Sequence, residues 1–237
     1  MSRSPVEVLL CDADGNLFPS EEPAFVASTE VTNRLLERLS VEIRFTPEEL
    51  RLRALGRNFR ATALDIAADH GLTLQAEDLE PWVVEEEVKV TDYLGALLAP
   101  DREVLDPLTR LARRFSVAAV SSSALSRLDA CFRATGLEEL FPAAARFSAE
   151  DSLPRPTTKP DPAVYLHALR QLGLAPQQAL AVEDSVPGVQ SAVGAGITTF
   201  GNLVFAPRGE RSARELELRE AGAAAVVASW SQLERML

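Results

Sequence analysis

Lysine is almost missing from this chain. Of 24 basic residues only Lys89 and Lys159 are lysines, and the other 22 are arginines. Such a bias favours arginine wherever either cation serves, so a surviving lysine marks a place where a compact ammonium is needed. Lys89 lies in a Glu-rich helical stretch and reads as a solvated ion-pair partner, whereas Lys159 lies in a Pro-rich loop with no such explanation. Cysteine is also scarce: Cys11 and Cys131 are too few for a disulfide framework and fit a reducing compartment. The two histidines, His70 and His167, have no acidic or cysteine partner at ligand spacing, which argues for surface or packing roles rather than a histidine metal centre. No apolar run approaches the about 18 residues of a membrane span. The N-terminal run contains Glu7 and is cut by Asp12, so it does not read as a signal peptide, and a cytoplasmic location is expected. A basic surface is missing as well. The formal net charge is −11, which disfavours sequence-independent binding to nucleic acid or to an anionic membrane, so neither is expected as a partner.

What is present is an ordinary globular composition, 46% hydrophobic and 25% charged over 237 residues, enough for a sizeable core. Residues 6–11 form a continuous apolar run and read as a buried strand. From about Phe18 to Leu98 the pattern is helical throughout. Phe25, Val31, Leu35, Leu36 and Leu39 make an apolar stripe at helical spacing. Thr46-Pro47-Glu48-Glu49 has the form of a capping box and starts a second helix, which Gly56 ends. A third helix runs from about Asn58 to Gly71, and Pro81 is expected to open a fourth through Leu97. From Asp101 onward, helices alternate with short apolar strands at 117–120, 144–148, 180–182, 197–200 and 225–227. That alternation implies a parallel sheet covered on both faces, a doubly wound α/β core. The expected organisation is residues 1–17 as the first core strand, 18–97 as an inserted all-helical domain, and 98–237 as the rest of the core. Trp82 and Tyr93 are expected in the core of the helical domain.

Asp12 and Asp14 are the most informative residues. They end the first strand with one alanine between them and Gly15 after. Residues i and i+2 of a strand share a face, so the two acids converge unless the turn parts them. Two anions together need a cation between them or a shared proton. A metal site, an acid/base pair and a nucleophile with its acid all remain open on this pair alone. Cys11 points to the opposite side of the strand and reads as core packing. In a doubly wound sheet, ligands bind beyond the carboxyl ends of the strands. Those positions carry Asp12 and Asp14, then Ser121-Ser122-Ser123, then Lys159, then Glu183-Asp184-Ser185. Hydroxyls and free N–H groups at a helix start bind anionic oxygen, and carboxylates hold magnesium. A magnesium–phosphate site explains all four groups.

Four motifs in this order, Asp12-Ala-Asp14-Gly-Asn16, Val-Ser121-Ser-Ser, Lys159-Pro-Asp-Pro and Glu183-Asp184-Ser-Val-Pro-Gly188, resemble those of the haloacid dehalogenase-like hydrolase superfamily. The likeness is to its phosphatase and β-phosphoglucomutase-like branch with a helical cap, and it covers nearly the whole chain. The resemblance implies a Rossmann-like core and a phosphoric monoester hydrolase acting on a small phosphate ester. By it, Asp12 is the nucleophile that forms an aspartyl-phosphate and Asp14 is the acid and then the base. Ser121 and Ser122 bind phosphoryl oxygen, and Lys159 neutralises charge. Asp12, the backbone carbonyl of Asp14, and Asp184 hold Mg2+, with Glu183 ligating through water. Asp14 favours phosphate-ester chemistry over dehalogenation, which needs no proton donor for a leaving oxygen. Two departures stand out. Asn16 replaces the usual threonine or valine, and Pro19-Ser20-Glu21-Glu22 replaces the usual acidic-then-small segment. The mutase branch carries a histidine in the early cap where Pro23, Ala24 and Phe25 stand here, which favours a phosphatase. Arg57, in a turn between two cap helices, is expected to contact a distal substrate group. A phospho-accepting receiver domain gathers similar groups but is about half this length, and it lacks both Asp-x-Asp-Gly and a helical insertion. No exposed apolar seam is evident, so a monomer or a weak homodimer is expected.

Overall fold

The computed structural model describes residues 6–54 and 58–237. In chain order the elements are β1 (Val8–Cys11), α1 (Glu21–Arg38), α2 (Pro47–Ala54), α3 (Phe59–Asp69), α4 (Ala76–Leu97), α5 (Arg102–Leu111) and β2 (Ser116–Ser121). There follow α6 (Leu125–Thr135), β3 (Arg146–Ser148), α7 (Ala163–Leu172), β4 (Ala179–Glu183), α8 (Val186–Gly194), β5 (Thr198–Asn202), α9 (Arg211–Glu220), β6 (Ala225–Val227) and α10 (Trp230–Met236). They fall into two compact units: the segments up to Pro19 and from Leu98 onward form one, and Ser20–Leu97 form the other. No helix among the described residues is long and apolar enough to cross a membrane.

The core unit is a six-stranded sheet in the order β3-β2-β1-β4-β5-β6, and every adjacent pair is parallel. All four residues of β1 are fully buried, as expected of a central parallel strand covered on both faces. Val8 and Leu10 point into a cluster with Ala118, Val120, Ala181 and the α7 residues Val164, Tyr165 and Leu169. Burying each large aliphatic side chain contributes roughly 1.5–3 kcal/mol, so the short strand is held by packing rather than by length. The chain winds from β1 outward through β2 to β3, then returns to the other side of β1 at β4. The strand order reverses there, and in such sheets ligands bind at that reversal, beyond the carboxyl ends of the strands, here β1 and β4. The register carries Cys11 opposite Val182, and the Asp12 amide donates to the Val182 carbonyl at 2.9 Å. Asp12 and Glu183 therefore leave neighbouring strands at the same height.

The helical unit pairs α1 with α4 and with α2, and α3 with α4. Leu35 enters a cluster with Ala63 and Leu79, flanked by Phe59 and Trp82. The next residue, Leu36, enters a second cluster with Leu50 and Ile66. The capping box of α2 is formed on both sides: Glu49 Oε2 accepts from the Thr46 amide at 2.8 Å and Thr46 Oγ1 accepts from the Glu49 amide at 3.3 Å. Asn58 caps α3 by accepting from the Ala61 amide at 2.9 Å. One boundary differs from expectation. Helix α4 starts at Ala76, with Pro81 inside it. Pro81 is the sixth residue of α4, past the leading N–H groups that lack partners, so the helix forgoes one intrahelical bond there. The apolar Leu79 extends the buried face upstream of the proline. Lys89 pairs with Glu30 at 2.7 Å on the surface, as expected for a solvated cation.

Candidate active site

Lys159 gathers the ends of three strands. Its Nζ donates to Asp12 Oδ1 after β1, to the Val120 carbonyl in β2 at 2.8 Å and to Glu183 Oε1 at the end of β4 at 2.6 Å. An ammonium has three donors and no acceptor, and here each proton has its own oxygen. A planar guanidinium cannot satisfy three acceptors converging from three strands, which explains why this position escaped the arginine bias. The group is almost sealed: Lys159 is 9% exposed, Asp12 6% and Glu183 0%.

Glu183 is the hub of a second layer. Its Oε1 also accepts from the Tyr165 hydroxyl at 2.5 Å, reached from α7. Its Oε2 is buried without a hydrogen bond and lies against Gly188 in the first turn of α8. A Cβ built on Gly188 would fall 1.8 Å from that oxygen, so only glycine leaves room for the carboxylate. Ser185 caps α8 by accepting from the Gly188 amide at 3.2 Å. The same logic holds at Gly15, whose φ of +75° is in the left-handed region that glycine adopts without strain. A Cβ there would meet Asp184 Oδ2 at 2.2 Å. The two glycines of the motifs thus let the turn after β1 and the helix after β4 close onto the two acids that end β4.

Asp12, Glu183 and Asp184 each present a carboxylate oxygen, and these three atoms lie within 4.8 Å of one another. Burial raises the Asp12 carboxyl to about 8, with Glu183 and Asp14 pushing the same way and Lys159 opposing. Burial alone would lower the Lys159 ammonium, but Asp12 and Glu183 hold it above its ordinary value. Four carboxylates, counting Asp14, face the two cations Lys159 and Arg127. An all-oxygen donor set with excess negative charge fits a hard divalent cation. Of the expected ligands, Asp12, Asp184 and Glu183 meet, but Glu183 Oε1 already serves two donors.

The Asp14 carboxylate lies apart from that cluster. Its Oδ2 accepts from Ser123 Oγ at 2.7 Å and from Ser121 Oγ at 3.4 Å, and its Oδ1 pairs with Arg127 at 2.8 Å. Its expected metal contact was the backbone carbonyl, not this side chain. Ser121 sits at the end of β2, buried, and accepts from the Ser123 amide at 3.0 Å. Ser122 Oγ accepts from the Lys159 amide at 3.2 Å, so it fixes the lysine loop. Arg57 lies outside the described residues. Asn16 is fully buried and laces the site to the sheet. It donates to the carbonyls of Asp12 at 2.9 Å and Val182 at 3.1 Å and accepts from Asn202 at 2.9 Å.

Three residues of this site were missed by sequence reading. Ser123 was quoted only as part of a motif. Arg127 carried a faint signal as a cation in the first turn of a helix. Tyr165 carried another, as one of only two tyrosines in the chain, six residues after Lys159. Cys11 is buried between the strands, and burial lifts its thiol far above the ordinary range, which removes it from nucleophilic chemistry.

A buried lysine–carboxylate hub and an acidic triad stand at the switch point of a parallel α/β sheet, the place where such sheets bind ligands. The sequence profile of the haloacid dehalogenase-like hydrolases matches residues 6–196, and the chain belongs to that family. It is 29% identical to Protein CbbY of Cereibacter sphaeroides over 222 residues, 88% of this chain and 89% of that one. It is 25% identical to the 6-phosphogluconate phosphatase of Escherichia coli K12 over 207 residues, 84% and 83% of the two chains. The crystal structure of a haloacid dehalogenase-like protein of unknown function from Agrobacterium tumefaciens superposes with a TM-score of 0.72 at 26% identity. That match covers 98% of this chain and 97% of the other.

Proposed function

We propose that the protein is a magnesium-dependent phosphatase that hydrolyses a small phosphomonoester, with sugar phosphates the first candidates, through an aspartyl-phosphate on Asp12. The observation that carries this reading is the Lys159 ammonium, which binds the Asp12 carboxylate and fixes one of its oxygens. The other Asp12 oxygen is the one we assign to attack on phosphorus. The oxygen–phosphorus bond to Asp12 forms as the ester oxygen–phosphorus bond breaks, and Asp14 gives its proton to the departing alkoxide. Water then attacks phosphorus, the bond to Asp12 breaks, and Asp14 takes the water's proton. We assign Ser121 to hold a phosphoryl oxygen and Lys159 to offset the charge that gathers on Asp12 and phosphate. Asp12, Asp184 and the Asp14 carbonyl would hold the magnesium ion, which when bound supplies positive charge to phosphate and nucleophile. The similarity to a protein named a 6-phosphogluconate phosphatase supports sugar phosphates as the first substrates to try. We assign Ser20–Leu97 as the cap domain of this enzyme.

The test is phosphate release from sugar phosphates, nucleotides, phosphoglycolate and p-nitrophenyl phosphate, with and without magnesium. Turnover is expected with magnesium, and Asp12→Asn should abolish it. Retained turnover in that variant overturns the mechanism. Interconversion of sugar-phosphate isomers without release would instead assign a mutase.

A further inference from the structure

Arg127 is used by none of the steps above, yet it forms an ion pair with the Asp14 carboxylate. It is the third residue of α6, where the free amides and the helix dipole already create positive potential, so a cation there is disfavoured unless an anion faces it. Helix α6 has no acidic residue in its first turn, and its N-cap Ala124 makes no side-chain cap. Two anions reach that end from outside the helix: Asp151 Oδ2 accepts from the Leu125 amide at 2.6 Å, and the anion that meets Arg127 is Asp14, from the turn after β1. Arg127 Nη2 meets Asp14 Oδ1 at 2.8 Å, with both side chains 24% exposed. Its Nε is buried and makes no hydrogen bond. A surface ion pair formed by two freely moving side chains would not bury that nitrogen, because leaving a donor unpaired away from water is unfavourable.

We infer that Arg127 is a positioning residue for Asp14, holding one edge of the carboxylate so that the other edge stays against Ser121, the residue assigned above to the phosphoryl group. This inference rests on the phosphatase reading given above, in which Asp14 delivers a proton to the leaving oxygen. Arg127 and Ser123 grip opposite oxygens of the same carboxylate, so its plane is set from both sides. With Arg127 removed, Asp14 keeps its chemistry but loses its aim. The penalty then falls where the proton matters most, on esters whose leaving oxygen is a poor leaving group.

The experiment compares kcat/KM for glycerol 2-phosphate, whose alkoxide must be protonated, with kcat/KM for p-nitrophenyl phosphate, whose phenolate departs without a proton. This ratio reports only steps up to phosphoryl transfer, so the later base role of Asp14 drops out. General acid catalysis is worth about 10²–10⁴-fold. Arg127→Ala should therefore lose roughly tenfold or more on the alkyl ester and less than about threefold on the aryl ester. Arg127→Lys should recover part of the alkyl rate, and Ser123→Ala should shift the ratio in the same direction as Arg127→Ala. If Arg127→Ala does not fold, the other two variants carry the comparison. Equal losses on both esters, or a change in KM alone, would show a structural or substrate-binding arginine and overturn the inference. Asp12→Asn is the separate control: turnover in that variant would sink the phosphatase reading, whatever Arg127 does.

Discussion

Gly188→Ala puts a methyl group where an added Cβ comes closer to its neighbours than at any other described glycine. The new Cβ would lie 1.8 Å from Glu183 Oε2, 2.2 Å from Cδ and 2.6 Å from Oε1, all well inside contact distance. Glu183 has to move, and it is fully buried with its Oε1 bound to Lys159 at 2.6 Å and Tyr165 at 2.5 Å. Hydrogen bonds to a charged group are worth about 1.5–3 kcal/mol each. The opposing gain from alanine over glycine in a helix is only about 1 kcal/mol. The net expectation is a destabilisation of about 2–5 kcal/mol, which for a chain of this size lowers the melting temperature by roughly 4–20 °C. The assay is urea unfolding followed by Trp230 fluorescence in a Trp82→Phe background, so that the buried Trp230 reports the core unit alone. The decisive arm is a double-mutant cycle with Glu183→Ala. With the carboxylate gone, the steric cost vanishes and Gly188→Ala should become neutral or mildly stabilising. The same penalty in both backgrounds, or no penalty in the native one, would refute the claim that this glycine exists to seat Glu183.

Tyr165→Phe removes one of the two donors on Glu183 Oε1 without opening a cavity, and should cost about 1–3 kcal/mol in the same urea assay; an unchanged midpoint would deny the phenol a role in the hub. Saturating magnesium should raise the melting temperature, by about 2.7 kcal/mol of stabilisation at a hundred times the dissociation constant, or roughly 5–10 °C. Asp184→Asn should remove most of that shift, and a shift that survives the substitution would place the cation elsewhere. Asn16→Ala removes the side-chain partner of the Asp12 carbonyl and of the Asn202 amide, while the Val182 carbonyl keeps its bond from the Asp12 amide. It should cost about 2–4 kcal/mol, measured by urea unfolding.

The fold was legible because its two textures obey different periods. Continuous apolar runs of four to six residues, each followed by an amphipathic helix, have few alternatives to a parallel sheet, and the strands fell within a residue or two of expectation. Strand ends matter more than strand interiors for function, and there the motifs sat where the topology brings them together. Pro81 misled because a proline is normally a start signal, and nothing local to it announces that the buried Leu79 already belongs to the helix. Asn16 was visible only as a departure from a family pattern. Its purpose depends on Val182 and Asn202, both more than 160 residues away, and no local rule could have paired them.

Lys159 and Arg127 show where composition helps and where it fails. In a chain with 22 arginines, a lysine is conspicuous, and the three oxygens around its Nζ supply the physical reason for keeping it. Arginine in such a chain is camouflaged. Arg127 looks like any of the others until the turn after β1 brings Asp14 against it, and only its seat in the first turn of α6, against the helix dipole, hints at a partner. A residue set by chemistry is readable when the background avoids its type. A residue whose type is the background must be found by the contact it makes, which makes the Asp14 pairing, not any motif, the reason to test Arg127.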